Sequence, residues 1–350
     1  MQSTEIINAE LNTNLNSKNI EYVKAPLTRR IFANAVDVII FVFLLVSFFA
    51  GLRAIVSNTS TYKAKDAELT ALKLDSGLFQ RDKDTLIKET TIILDNSSID
   101  TAESRRIGAI SAINKFFSFA QQKCNSSDYE VMLNDYKSFR LSCKAENGTQ
   151  LFIESNGDVI ENPEYISLGS GTASPVFKTY YEVAYKPYIN DHLQSYMVSA
   201  IPNYLELNRY QSNTLLFGEF LPSFLLAMVS TYLLPTLIFS RGRMTFGKRL
   251  YKIALLDRSC LSPSFARTTG RFLIVLLEFI LAIPTFCVSF IISFSFMMFS
   301  KSHQSVPDYV ADVNEISILD NKIFKNFNEI DLDTIDTHKE PIKFKPKNYN

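Results

Sequence analysis

The sequence has few of the residues that usually mark a catalytic or metal site. It contains no tryptophan, three histidines and four cysteines in 350 residues. His192, His303 and His338 lie far apart in the chain, which disfavours a metalloenzyme, and the cysteines lack the spacing of zinc ligands. No nucleophile and base occur together in a recognisable motif. We therefore predict that the protein binds no metal and no cofactor, and that it is not an enzyme.

The chain also lacks an excess of charge. Lys plus Arg and Asp plus Glu each number 36, so the formal net charge is zero. Nucleic-acid-binding domains are strongly basic, so we expect no nucleic-acid partner. The mean hydropathy of +0.04 is high for a soluble protein and low for a polytopic one. Such an average indicates long apolar segments separated by polar ones.

Three apolar runs occupy residues 38–52, 215–239 and 272–299. A membrane-spanning helix needs about 20 mostly apolar residues, and the first run reaches this length when residues 32–37 are included. The third run has 28 residues with Pro284 near its centre, so it forms either one long span or two helices separated by a break. A core helix of a soluble protein is rarely apolar on every side for this length. The pattern predicts an α-helical integral membrane protein.

Charge predicts the orientation of these segments. Residues 240–271 contain eight Lys or Arg and one acid, whereas residues 57–214 contain 16 basic and 20 acidic residues. Short loops rich in Lys and Arg stay in the cytoplasm, which places 240–271 inside and 57–214 outside. The predicted order is a cytoplasmic tail (1–30), a first span (31–56), an extracytoplasmic domain (57–214), a second span (215–239), a basic cytoplasmic loop (240–271), a third membrane segment (272–299) and a C-terminal tail (300–350).

The basic loop also predicts a lipid partner. Basic residues next to a membrane helix attract anionic lipid headgroups at about 1 kcal/mol each. We expect this contact from the five that follow the second span: Arg241, Arg243, Lys248, Arg249 and Lys252.

The 57–214 segment is long enough to be a domain. Its apolar periodicity predicts helices over 97–123, 128–142 and 175–201. Asn156-Gly157 lies between two short apolar segments and predicts the turn of a hairpin over 151–160. We therefore expect a mostly helical α+β domain inserted between the first two spans. Cys124 and Cys143 both belong to it, and either a disulfide in an oxidising exterior or two free thiols is compatible with the sequence.

Three motifs lie at the ends of the predicted spans. The first runs from Arg29-Arg30 to Asp37, the second from Thr245 through Gly247, Lys248 and Arg249 to Asp257, and the third from His303 through Asp308 to Asp312. In this order they resemble the motifs of the RDD family of bacterial membrane proteins. Two positions depart from that family: Lys252 stands where a glycine is expected, and Pro307 stands where a histidine often precedes the aspartate.

The resemblance implies a multi-pass protein of the bacterial cell membrane with a cluster of charged motif residues. Gly242 to Lys248 also fits a phosphate-loop pattern. However, Arg249 replaces the Ser or Thr that would bind magnesium, and a membrane helix replaces the required strand. We therefore predict no nucleotide site there.

Two classes of function remain open. In the first, the membrane part anchors the outer domain, which binds an envelope protein or ligand. In the second, which the resemblance to the RDD family suggests, the protein transports ions or protons along the intramembrane carboxylates Asp37, Glu219 and Glu278, because charged groups within a membrane are functional candidates. Two or three helices per chain form a poor pore, so transport implies either a homo-oligomer or a third segment that crosses the membrane twice.

The side of the C-terminus depends on the third segment. If that segment turns back at Pro284, the third motif returns to the cytoplasmic side. Asp308 would then pair with Arg29, Arg30 or a residue of the basic loop. We predict this arrangement and a cytoplasmic C-terminus.

Overall fold

The computed structural model describes residues 6–11, 18–82, 86–96, 101–169, 175–282, 284–299, 304–319, 321–326 and 329. The predicted helix start at residue 97, His303 of the third motif and most of the C-terminal tail lie outside these residues. The chain divides into two compact units. One, the membrane unit, comprises Met1–Arg53 and Glu219–Asn350, and the other, the inserted unit, comprises Ala54–Gly218.

The described chain is mostly helical. Its helices are α1 (Leu27–Ser57), α2 (Ser60–Asp75), α3 (Thr90–Asn96), α4 (Ala102–Lys123), α5 (Ser126–Ser142), α6 (Pro163–Ser167), α7 (175–199), α8 (Tyr204–Ile238), α9 (Phe246–Leu250), α10 (Phe265–Ala282), α11 (Val288–Phe299) and α12 (Val306–Val310). Its strands form antiparallel pairs: β1 (Ile6–Leu11) with β2 (Lys18–Val23), β3 (Phe79–Arg81) with β4 (Ile87–Glu89), β5 (Phe152–Ser155) with β6 (Asp158–Glu161), and β7 (Ile253–Asp257) with β8 (Val313–Ser317).

Helices α4 and α5 form because each has an N-cap and an apolar face. Thr101 and Asn125 cap them by accepting a hydrogen bond from the backbone N–H of Ser104 and Asp128, respectively. Seven apolar residues of α4, including Phe116 and Ala120, are buried on one face. The helix predicted over 128–142 is present and begins two residues earlier, at Ser126.

The hairpin of β5 and β6 turns at the predicted residues. Asn156 and Gly157 have φ values of 52° and 84°. A two-residue turn with both residues in the left-handed region matches the twist of the flanking strands. Alternation then buries Phe152 and Val159 and leaves Ile153 and Ile160, which are paired across the strands, 36% and 40% exposed.

Tyrosines of α7 fill the core of the inserted unit. Tyr180, Tyr181 and Tyr188 are at most 1% exposed. The Tyr180 hydroxyl donates to the carbonyl of Leu151 at 2.7 Å, and the Tyr185 hydroxyl donates to Glu161 at 2.5 Å. A buried hydroxyl needs such a partner, so these bonds fix α7 against the hairpin.

The two cysteines of the inserted unit do not form a disulfide. Cys124 precedes α5 and Cys143 follows it, and both are free thiols. A helix of 17 residues separates its ends by about 25 Å, far beyond the roughly 7 Å between Cα atoms that a disulfide tolerates. The alternative of a Cys124–Cys143 disulfide is therefore wrong, because α5 lies between the two thiols.

Two helices are long and apolar enough to cross a membrane. Helix α1 has 31 residues, and the mean hydropathy of its most apolar 18-residue window is 2.6. Helix α8 has 35 residues, and the corresponding value is 1.7. Helix α8 begins at Tyr204, so residues 204–213, expected as a polar connection before a span at 215, are helical. Within the membrane unit, the Phe41 ring of α1 contacts Phe224 of α8 and Phe279 of α10, with centroids 5.9 and 4.8 Å apart.

The third apolar segment is a helical hairpin. Helix α10 ends at Ala282, and α11 folds back along it after a turn that includes residues 284–287. The Ser289 hydroxyl donates to the carbonyl of Glu278 at 2.9 Å, and the rings of Phe279 and Phe290 lie 4.9 Å apart. The single long span is excluded. Helix α10 begins at Phe265 rather than at 272, and therefore includes two arginines expected in the loop, Arg267 and Arg271.

The basic segment 240–271 is structured rather than a simple loop. It contains α9 and β7, and β7 pairs with β8, in the register Ile253 with Ser317. Lys24, which follows β2, forms a further bridge to Ile316 of β8. The first four residues of β7, 253–256, are buried, so both faces of this strand are covered. The segments carrying the three motifs are thus joined at one end of the membrane unit.

Candidate functional site

Six charged residues are buried together in the membrane unit, where the three motif segments meet. We call them the charge cluster: Arg30, Asp37, Lys248, Arg271, Asp308 and Glu315. Each is at most 8% exposed. Three are positive and three are negative, so the cluster has no net charge. Buried ions are tolerated only when they are paired and hydrogen-bonded.

Asp37 of α1 binds the start of α9. One carboxylate oxygen accepts a hydrogen bond from the Thr245 hydroxyl at 2.5 Å, and the other accepts one from the Gly247 backbone N–H at 2.8 Å. The Thr245 side chain is also the N-cap of α9, accepting from the Lys248 backbone N–H at 3.4 Å. Asp37 therefore holds the second motif against the first helix.

Gly247 allows α9 to approach α1 closely. A Cβ atom at this position would lie 2.1 Å from the carbonyl oxygen of Ala33 and 3.0 Å from Cγ of Asp37. No side chain fits in that space. The glycine of the second motif is explained by this contact between backbones.

Glu315 of β8 is the partner of two cations. It forms ion pairs with Arg30 and, at 2.5 Å, with Lys248. Burial acts to raise the pKa of Glu315, but Lys248 and Arg30 hold that pKa below its ordinary value. Lys248 is 1% exposed, so the prediction that it contacts lipid headgroups is wrong: it points into the protein because Glu315 is there.

Asp308 pairs with Arg271. The Arg271 Nε donates to Asp308 at 2.5 Å, and the Ser305 hydroxyl donates to the other carboxylate oxygen at 2.7 Å. Burial acts to raise the pKa of Asp308, but Arg271 and Lys248 hold it well below its ordinary value. Of the partners considered from the sequence, Arg29, Arg30 and the basic segment, the structure places the last residue of that segment beside Asp308.

The remaining motif residues lie outside the cluster. Arg29 is half-buried on α1, and Arg249 stacks over the ring of Phe239 at 4.0 Å. Asp312 forms an ion pair with Arg258 at 2.8 Å, in which the Arg258 side chain is 80% exposed. Such an exposed pair contributes little to stability.

Lys252 has a backbone conformation that explains the glycine expected there. Its φ is 56°, in the left-handed region that glycine adopts without strain. The Lys252 carbonyl accepts a hydrogen bond from Ile318 at 3.0 Å, which fixes the turn before β7. The departure from the family's pattern thus leaves a lysine in a conformation suited to glycine.

Asp37, Glu219 and Glu278 do not form one continuous site. Glu219 is fully buried and binds Arg53 at 3.0 Å. Arg53 lies 16 residues beyond Asp37 on α1, which corresponds to about 24 Å. Glu278 is half-buried on α10 and forms no ion pair among the described residues. Asp37 and Glu219 therefore bind separate partners near opposite ends of the first helix.

Sequence reasoning missed Glu315 altogether and did not single out Arg271. The available signal was an acid within the mixed segment 313–318, where alternation places Val313, Glu315 and Ser317 on the same side of a strand. An acid on a buried strand face requires a cation. Which cation it meets depends on the pairing of β7 with β8, which the sequence did not reveal.

The geometry defines a class of protein: a mostly helical protein with two helices long and apolar enough to span a membrane, whose motif segments are joined by buried, paired charges. No group of three or more His, Cys, Asp or Glu side chains in the described part of the chain is arranged to hold a metal.

Comparison with known families identifies the class more closely. Residues 191–312 match the model of the RDD family, which confirms the resemblance over the segment that carries the second and third motifs. The match contains α8 to α12 and the second and third motifs, about a third of the chain. No curated protein and no solved structure matches the sequence.

Proposed function

We propose that the protein is a non-catalytic membrane anchor that holds the inserted unit on the outer side of the cell membrane, where that unit binds an envelope protein or ligand. The observation that carries this proposal is the state of the charge cluster. Its three cations and three carboxylates bind one another, a hydroxyl or a backbone N–H. Such charges join segments of the protein and leave no carboxylate of the cluster open to a moving ion.

The surface of α1 supports a membrane location. Only 11% of its most apolar window is buried, and large side chains such as Ile39, Phe43 and Val46 are 61–70% exposed. Exposed apolar area of this extent is stable in lipid rather than in water. Lipid is thus the proposed partner of this helix.

Thiol labelling in intact cells tests the orientation. In a chain with Cys287 changed to Ser, Ser111→Cys lies on the inserted unit and Ser259→Cys on the basic segment, and both positions are exposed. We expect an impermeant maleimide to label the first variant in intact cells and the second only after lysis. The opposite pattern would reverse the topology and refute the anchoring proposal.

Photo-crosslinking tests for an envelope partner. Ile153 and Ile160 form an exposed apolar pair on the hairpin of the inserted unit. We expect a photoreactive residue at position 153 to give one discrete crosslinked species in cells. The same photoreactive residue at the adjacent position 154 should give less of that species. If none of the exposed positions of the inserted unit gave a discrete crosslinked species, that result would count against partner binding.

Transport is a second candidate because of Glu278. Unlike Glu219, it forms no ion pair among the described residues, and unlike Asp37, it lies outside the charge cluster. The decisive experiment is proton and sodium flux in vesicles containing the whole protein. We expect no flux above empty vesicles. A flux that Glu278→Gln abolishes and Glu154→Gln leaves unchanged would establish transport instead.

A further inference from the structure

A polar cavity of about 430 Å³ lies at the end of the membrane unit, outside the charge cluster. Its lining includes Ser240, which follows α8, and Ser264, which precedes α10, together with Arg243 and Lys325. In the proposed membrane arrangement, α8 and α10 leave the hydrocarbon layer at these residues. The cavity then lies at the depth of the lipid headgroups.

Arg243 has no acidic partner among the described residues. Its Nε donates to the carbonyl of Pro263 at 3.2 Å and its Nη1 donates to the carbonyl of Thr236 at 3.3 Å. These carbonyls are neutral, so they orient the guanidinium without balancing its charge. The other basic residues near it differ, since Lys248 binds Glu315 and Arg241 binds Glu329.

The local backbone holds Arg243 in this position. Gly242 and Arg243 both have positive φ, 76° and 44°. A Cβ at Gly242 would lie 2.6 Å from Cβ of Ala254, so the loop is pressed against β7. The Ser262 hydroxyl fixes it further by accepting from the Gly242 backbone N–H at 3.1 Å. The guanidinium is therefore presented to the cavity by a fixed loop.

The net charge around the cavity is positive. Its one acidic residue, Asp257, already binds Arg267 at 3.0 Å and the Leu261 backbone N–H at 3.0 Å. The side chains of Arg243 and Lys325 form no ion pair in the described part of the chain, and the Glu329 carboxylate beside them accepts from the Lys325 backbone N–H at 2.8 Å and pairs with Arg241. Two uncompensated cations beside serine hydroxyls favour an anion with several acceptor oxygens. A phosphoryl group has this chemistry, and the volume accommodates one with a small substituent.

We propose that this cavity is a binding site for a phosphoryl group, with Arg243 and Lys325 as its cationic ligands. A phospholipid headgroup and a soluble phosphate compound both carry that group. Binding of a lipid headgroup rests on the proposed membrane placement, whereas binding of a soluble phosphate compound does not. The phosphoryl site and the proposed function can therefore be refuted independently.

The test uses the whole protein in nanodiscs. The first arm compares thermal stability in discs of phosphatidylglycerol and of phosphatidylcholine. The second arm titrates inorganic phosphate into protein in phosphatidylcholine discs and follows binding by calorimetry. Arg243→Gln and Lys325→Gln remove one cation each, and Arg258→Gln is the matched control, because Arg258 is 80% exposed and lies outside the cavity lining.

We expect phosphatidylglycerol, inorganic phosphate or both to bind the unmodified chain, with at least a tenfold loss of apparent affinity in Arg243→Gln and in Lys325→Gln. Arg258→Gln should bind as the unmodified chain does. Because Lys325 is exposed, its variant reports binding even if Arg243→Gln unfolds. Stabilisation by lipid alone identifies a headgroup, and binding of phosphate alone identifies a soluble ligand. Equal losses in all three variants, or no binding in either arm, would overturn the proposal.

Discussion

At the scale of single residues, two aspartates of the RDD motifs hold separate segments of the protein together. Asp37 accepts hydrogen bonds from Thr245 and Gly247, and Asp308 binds Arg271. The consequences of changing such residues differ from those of changing exposed ones. Each effect below can be followed by the reactivity of Cys260, which is 1% exposed in the membrane unit, in a chain whose other three cysteines are serine.

Lys252→Gly should stabilise the membrane unit. The lysine has a φ of 56°, and a non-glycine residue in this region costs about 1 kcal/mol. We expect Cys260 to become reactive at a temperature a few degrees higher than in the unmodified chain. Lys252→Ala removes the side chain but keeps the unfavourable φ, so it should give no gain. Equal stabilisation by both changes would show that the lysine charge, not the backbone, is responsible.

Asp308→Asn should destabilise the membrane unit strongly. It leaves the Arg271 guanidinium buried without its carboxylate, and breaking a buried pair costs about 3–5 kcal/mol. Asp312→Asn removes the same charge from an exposed pair and should cost less than about 1 kcal/mol. The reactivity of Cys260, followed as the denaturant concentration rises, measures the loss of stability in both variants. Similar losses for the two variants would contradict the assignment of Asp308 to the charge cluster.

At the scale of secondary-structure elements, the close approach of α9 to α1 depends on Gly247. Gly247→Ala would force its Cβ against the Ala33 carbonyl, 2.1 Å away, and overpacking of this kind costs about 1–3 kcal/mol. The control is Gly270→Ala on α10, where a Cβ would meet nothing within 4 Å. We expect Cys260 to become reactive at a lower temperature in Gly247→Ala, and at the same or a higher temperature in Gly270→Ala. If Gly247→Ala left the exposure of Cys260 unchanged, the two backbones would not approach this closely.

The hairpin of α10 and α11 is too short to cross a bilayer twice. Residues 272–282 of α10 extend about 16 Å beyond Arg271, about half of a hydrocarbon layer of roughly 30 Å. The described turn residues satisfy part of their backbone locally, since the Cys287 N–H donates to the Ala282 carbonyl at 2.8 Å. This local bonding allows a turn inside the membrane.

Because the chain has no tryptophan, one introduced at Phe286 reports the depth of this turn. Phe286 is 92% exposed. We expect its fluorescence to be quenched most by lipids brominated near the ends of the acyl chains. Phe265→Trp, at the start of α10, should be quenched most by bromine close to the headgroup. Shallow quenching of the tryptophan at position 286 would mean that the hairpin does not end near the bilayer centre.

At the scale of the whole molecule, the charge cluster predicts how stability depends on pH. Asp308 and Glu315 have pKa values lowered from 3.8 and 4.5 by the cations beside them. A lowered folded-state pKa means that the stabilisation is complete above the unfolded-state pKa and is lost as the pH falls further. We expect the midpoint temperature, measured as loss of the monodisperse size-exclusion peak after heating, to be constant above about pH 5 and to decrease below about pH 4.

Glu315→Gln tests the origin of that decrease. It removes one of the two carboxylates that must be protonated, so its midpoint should be lower at pH 6 and should change less between pH 6 and pH 3. A midpoint that rises on acidification in the unmodified chain would contradict the lowered pKa values.

The apolar segments, the length of the inserted unit and the RDD motifs can be read from the amino-acid sequence alone. Runs 38–52 and 215–239 lie in two apolar helices, and Asn156-Gly157 forms the turn of a hairpin. These features depend on local composition, hydrophobic periodicity and turn chemistry, which neighbouring residues in the chain specify.

Which charged side chains pair with one another depends on contacts between segments that are distant in the chain. Glu315 is separated from Arg30 by 285 residues, and its partners follow from the pairing of β7 with β8 beside α1. The same applies to Cys124 and Cys143, which α5 separates, and to Arg243, whose position depends on the contact of Gly242 with Ala254. Long-range contacts have no signature in local sequence, because any of several cations could satisfy one buried carboxylate until packing chooses among them.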